Sequence, residues 1–194
     1  MLIKYGLVNI EWQGQHFSLL PSFANMEKIG SPSQIIDYVK LLSDTKAPWY
    51  VIRRVAEKIV KSCATTELPE KLTGAMTLNQ WRKEIAIRPS DNGMTTEQLV
   101  ILAGHLIKHG IIGDTDYRAK SKDGDNAPLK TFEASEFVET AVLAFDISHE
   151  EASRMTMTQF IRQMRAKYPD MFEDASDKQQ ANMLELAKKY GMLN

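Results

Sequence analysis

The sequence predicts a mainly α-helical fold with a short N-terminal β-hairpin and a smaller C-terminal helical module. Three observations carry that prediction. Period-two alternation of apolar residues is confined to the first twenty positions. From Ser31 onward, apolar residues recur at spacings of three and four, the period of a helix buried on one side. Serine or threonine followed three residues later by Gln or Glu then marks one helix start after another.

The hairpin is read from Val8, Ile10 and Trp12, which alternate with Asn9 and Glu11 up to a Gln13-Gly14 break. Phe17 and Leu19 resume the alternation beyond it. Pro21 closes the second strand, and Phe23, Met26 and Ile29 follow at three-residue spacing as a short helical turn. In Ser31-Pro32-Ser33-Gln34, serine caps the next helix, proline takes its first position and glutamine its third. Ile35, Val39 and Leu42 form its buried stripe. Another helix starts near Pro48, with Trp49, Ile52, Val55, Ala56, Ile59 and Cys63 on one side, and Pro69 and Gly74 mark the loop after it.

The pattern Met-Thr-x-x-Gln followed by a large apolar residue occurs three times, at Met76–Trp81, Met94–Leu99 and Met155–Phe160. The spacings are unequal, which argues against a repeat protein. A local account fits each copy: threonine and glutamine satisfy each other's backbone amides, and methionine packs on the apolar residue one turn in. Three helix starts are therefore expected.

The helix from Thr95 carries Leu99, Leu102, Ala103, Leu106 and Ile107 and is expected to stop at Gly110. Residues 114–128, rich in Asp, Lys and Gly, read as a polar linker or loop between a domain at 1–113 and a module at 129–194. Past it, Phe132, Phe137, Val138, Ala141, Val142 and Phe145 predict an amphipathic helix, and Ser148 caps a short one. The Thr156 helix places Phe160, Ile161, Met164 and Tyr168 on one face and ends at Pro169. A last helix is expected from Ser176 to Gly191.

Composition narrows the function. Hydrophobic residues make up 43% of the 194 and charged ones 25%, enough apolar matter for a core. The net charge of -1 gives no overall field to attract a polyanion, and the basic residues of Arg162 to Lys167 are spread around a helix. No nucleic-acid partner is expected. No apolar run is long enough to span a bilayer, and the first nine residues lack the features of a signal peptide, so no membrane partner is expected either. The lone cysteine, Cys63, excludes an intramolecular disulfide and reads as a buried, inert thiol.

Catalytic signatures do not emerge. His105 and His109 have a metal-gripping spacing but neither the glutamate of a zinc-protease helix nor an evident third ligand. They read as two exposed histidines near a helix C-terminus, where positive charge is favoured. Asp114, Asp116, Asp123 and Asp125 lack the order and the closing glutamate of a calcium loop. Phosphate-cradling, nucleophile-elbow and dinucleotide motifs are absent. The expectation is a non-enzymatic protein with no cofactor, no metal and no catalytic residues, acting on other proteins. Six of the ten methionines fall among the last forty residues, which suits either an adaptable binding surface or gap-filling in a small core.

Two stretches carry a resemblance to a known family. From Ile10 to Ile29 a hairpin with a glycine turn leads into Leu19-Leu20-Pro21-Ser22-Phe23 and a helix containing Glu27. From Phe145 to Phe160 a Ser148-His149-Glu150-Glu151 helix runs into Arg154-Met155-Thr156 and another helix. In order and motif these resemble the tail assembly chaperones of long-tailed bacteriophages and gene transfer agents. The resemblance spans residues 1–113 and 131–168. It implies a chaperone of the bacterial host cytoplasm that coats the apolar, helical tape-measure protein and helps recruit tail-tube subunits, with self-association left open. Phe160, Met164 and Tyr168 are the residues expected to face a client, unless they pack on Phe137 and Val142 instead. Two other classes stand beside this one: an adaptor or inhibitor bound to a single host protein, and an enzyme whose groups assemble only in space.

Overall fold

The computed structural model describes residues 5–44, 46–74, 76–79, 84–87, 93–113, 117–119 and 131–174, with backbone alone for 76–79, 84–87, 117–119 and 173–174. The chain is mainly helical and opens with a two-stranded antiparallel hairpin, as its sequence predicts. Strands β1 (Val8–Trp12) and β2 (Gln15–Leu19) pair with Val8 opposite Leu19 and Trp12 opposite Gln15. Gln13 and Gly14 both take positive φ, at 51° and 75°, the conformation a two-residue hairpin turn requires. Val8, Phe17 and Leu19 point into the core while Glu11 and His16 face solvent. The end of the hairpin is tied to α3 (Trp49–Cys63): Leu20 N–H donates to the Cys63 carbonyl at 2.8 Å, and Thr65 N–H to that of Ser18 at 2.9 Å.

The remaining helices are α1 (Phe23–Glu27), α2 (Pro32–Leu42), α4 (Glu70–Thr73), α5 (Thr96–Ile107), α6 (Ala134–Phe145), α7 (His149–Ser153) and α8 (Met157–Lys167). Two of the three Met-Thr boxes open helices by the expected mechanism. Gln98 Oε1 accepts from Thr95 N–H at 2.9 Å while Thr95 Oγ1 accepts from Gln98 N–H at 3.2 Å. Thr156 and Gln159 repeat the exchange at 3.0 and 3.2 Å.

The third box does not open a helix. Met76–Asn79 is strand β3, paired antiparallel with β4 (Glu84–Ile87), so that Met76 stands opposite Ile87 and Leu78 opposite Ile85. The capping box describes only how a helix would start. Here β-branched Thr77, Ile85 and Ile87 in period-two alternation favour the extended form. Gln80 and Trp81 lie outside the described residues.

Most of the predicted linker, with its four aspartates, also lies outside them. The part described, Tyr117–Ala119, is strand β5 rather than loop, and it pairs with β6 (Phe172–Asp174). The helix expected from Ser176 falls outside the described residues. The α5 helix does not stop at Gly110 but widens into a π-helical turn over Lys108–Ile112 that ends at Gly113, whose φ is 84°. Gly110 serves packing instead: a Cβ there would come within 2.6 Å of Met26 Sδ.

Helix α3 lies along α5, and α1 is held between α3 and α6. Buried residues from both sides of 114–128 belong to one cluster, in which Phe132, Val138, Ala141 and Phe160 join Leu19, Phe23, Ile59 and Leu106. The expected modules 1–113 and 129–194 thus share a core across their described parts. At its centre Phe23, fully buried, stacks on Phe137 with ring centroids 5.7 Å apart and meets Phe160 edge-on at 6.0 Å. Burying one such ring contributes about 2–3 kcal/mol before its aromatic contacts are counted.

Among the described residues, one charged side chain is enclosed. Arg53, 1% exposed, donates from Nη1 to Thr96 Oγ1 at 2.9 Å and from Nη2 to the carbonyls of Thr73 at 2.5 Å and Met94 at 3.3 Å. Burial pushes its pKa down from the ordinary value, and the Glu57 carboxylate partly opposes that. Because Met94 N–H also donates to the Leu72 carbonyl at 2.7 Å, the two ends of segment 74–93 are fastened together beside α3. Among the described residues, no helix is long and apolar enough to cross a membrane.

Candidate functional site

The residues expected to face a client are not equally exposed. Phe160 is buried, 5.7 Å from the Phe137 ring and 6.1 Å from that of Phe145, so it serves the core. Met164 is half-buried against the same cluster. Tyr168 is exposed, as is Met171 beyond it. The reason lies in α8: its first turn packs against the π-helical turn at Lys108–Ile112 and against α6, while its C-terminal end emerges. There Lys167 Nζ donates to the Ala144 carbonyl at the end of α6. Of the methionines near the C-terminus, Met155 and Met157 are core residues, and Met183 and Met192 lie outside the described residues.

The histidine pair is not exposed as its sequence position suggests. His109 is buried, with Nδ1 2.9 Å from Thr158 Oγ1, and His105 is half-buried with its ring centroid 4.5 Å from that of His109. The π-helical turn carries the chain past Gly110 and swings His109 inward against α8. Among the described residues, no three His, Cys, Asp or Glu side chains gather as metal ligands would. Cys63 is fully enclosed, and burial pushes its thiol pKa up to about 12, so the nucleophilic thiolate is disfavoured.

One part of the described surface is apolar. Ile101 on α5 is 66% exposed, and Trp49 at the start of α3 is 47% exposed. Two grooves meet at Ile101. One, of about 470 Å³, runs between the end of α2 and the starts of α3 and α5, and Leu42, Trp49, Ile52 and Val100 line it with Asp44 and Glu97. The other, of about 660 Å³, lies between the hairpin and α5, lined by Ile10, Trp12, Leu72, Met94 and Leu102, with Glu11 beside them. Ile101 is thus a ridge between two apolar troughs, one bearing Asp44 and Glu97 and the other Glu11. Grooves of this kind have room for an apolar segment of another molecule.

The helical stripe of α5 explains the burial of Leu99, Ala103, Leu106 and Ile107, but not Val100 and Ile101 beside it. A helix apolar on more than one side needs more than one neighbour. That excess was the available signal for this surface. Trp49 was expected on the buried side of its helix; it sits in the first turn, past the end of the packed interface, where its ring faces outward.

The described architecture is that of a mainly helical protein with an apolar surface beside α5. The chain belongs to the family of unknown function DUF6246, whose model matches residues 51–183, from within α3 past α8. The hairpin, α1 and α2 precede the matched span. No curated protein and no solved structure matches the chain.

Proposed function

We propose that this protein is a non-enzymatic tail assembly chaperone, which holds the apolar, helical tape-measure protein and helps bring tail-tube subunits to it. The observation that carries the reading is the pair of apolar grooves meeting at Ile101. An amphipathic helix lays an apolar stripe into such a groove, with anchors at spacings of three and four. Glu11, Asp44 and Glu97 favour a client helix whose stripe is flanked by Lys or Arg. The family resemblance also supports it, since the Leu19–Phe23 segment and the Arg154–Thr156 segment that carry it lie side by side: Ser22 and Thr156 form an isolated antiparallel bridge.

The test is affinity capture of the tagged chain from cells carrying its native genomic neighbourhood, with the captured proteins identified and counted by mass spectrometry. A long helical tape-measure-like protein bearing many copies of this chain is the expected result. A single host protein held one-to-one would replace this reading with that of an adaptor or inhibitor.

A further inference from the structure

The side of α3 away from Trp49 and Ile52 carries a different surface. Spacings of four and three residues place Arg54, Lys58 and Lys61 on one side of the helix. Together with Lys28, next to the end of α1, they line a cleft of about 740 Å³ floored by Tyr38 and Val55. Four cations against one carboxylate, Glu57, leave a net positive cleft in a chain whose overall charge is -1.

The four charges are differently engaged. Lys61 Nζ lies 2.6 Å from Glu57 Oε1, so the one anion of the cleft is already matched. Lys28 donates to Asn25 Oδ1 at 2.8 Å. Lys58 sits 5.2 Å from the Tyr38 ring centroid and 3.4 Å from its hydroxyl, which holds its ammonium at the cleft. Arg54 is exposed and has no ion pair among the described residues.

We propose that this cleft is a docking site for an acidic segment of a partner protein, separate from the grooves at Ile101. Charge complementarity selects the occupant: a carboxylate can take the Arg54 fork with two parallel bonds, and a second can reach Lys58 or Lys28. The apolar floor favours a peptide over a nucleic acid. Tyr38 is half-buried and already covered by Lys58, so it offers no open face for a base to stack on. A cleft of about 740 Å³ also suits a short acidic stretch better than a continuous phosphate backbone.

The test uses the full chain and three fluorescent probes: a helical peptide of roughly 20 residues with Glu on one side and Leu on the other, its Lys counterpart, and a single-stranded DNA of similar length. The acidic peptide is expected to bind, more tightly than either of the others, and to weaken as salt rises from roughly 0.05 to 0.5 M. Arg54→Glu combined with Lys58→Glu should weaken it about tenfold or more, with the circular dichroism spectrum unchanged because both side chains are exposed. Ile101→Asp should leave acidic-peptide binding unaltered, which separates this site from the client surface. Tighter binding of the DNA, salt-insensitive binding, or equal affinity in the folded double variant would overturn the proposal.

Discussion

The backbone N–H of Phe23 donates to the carbonyl of Met155 at 2.9 Å, joining the segment after the hairpin to the segment before α8. Beside that bond the Phe23 ring meets Phe160, and Ser22 bridges to Thr156, whose hydroxyl caps α8. The segment around Phe23 and the segment around Thr156 are therefore joined at the centre of the core.

Phe23→Ala should be among the most damaging single substitutions. It empties a fully buried site and removes a ring that packs on both Phe137 and Phe160. A loss of about 3–5 kcal/mol is expected in denaturant unfolding. A loss under about 1 kcal/mol would mean that the aromatic cluster does not organise the core.

Thr156→Ala removes a cap whose residue is fully buried, and Ser148→Ala removes one from an exposed turn. Each should cost about 1 kcal/mol by cap loss alone. The buried site should cost more, because the Gln159 amide left behind has poorer access to water. Paired thermal melts of the two variants measure the difference.

Replacing Arg53 with Met keeps the volume roughly but strips the Thr73 and Met94 carbonyls of their donor. Destabilisation on the order of 3 kcal/mol is expected. Hydrogen exchange at Met94, whose N–H bonds to Leu72, should accelerate more than at Leu106 in α5. Uniform acceleration across both would show that Arg53 does not specifically fasten the ends of segment 74–93.

Cys63 supplies a pH test. Its folded pKa of about 12 lies above the ordinary value of 9.0, so the native state favours the neutral thiol. The stability this contributes is present in full below pH 9 and falls as pH rises towards 12. Stability of Cys63→Ala should therefore decline less over that window than that of the unaltered chain. At pH 8 a thiol reagent should modify Cys63 only at the rate of unfolding.

Much of the helical fold is legible in the sequence because its signals are local. Ser31 with Gln34, Thr95 with Gln98 and Thr156 with Gln159 all start helices where their side chains satisfy backbone amides. The same signal misleads at Met76, where strand pairing with Glu84–Ile87, a contact between separate segments, outweighs a local box. The inward turn of His109 depends on a π-helical bend that the sequence does not mark. The candidate binding surface is only partly legible. Phe160 reads as a face residue by periodicity, but which side of α8 is covered depends on the π-helical turn and α6. Val100 and Ile101, apolar beyond what one buried stripe needs, held the better clue.

The most direct test of the client surface is Ile101→Asp, which sets a charge on the exposed ridge between the two grooves without touching the core. The chain and its variant would each be co-expressed with the tape-measure-like protein of the same genome, and the copies bound per client counted by native mass spectrometry. Many copies for the unaltered chain and few or none for a fully folded variant is the predicted result. Equal loading of the two, or no loading by either, would contradict the account.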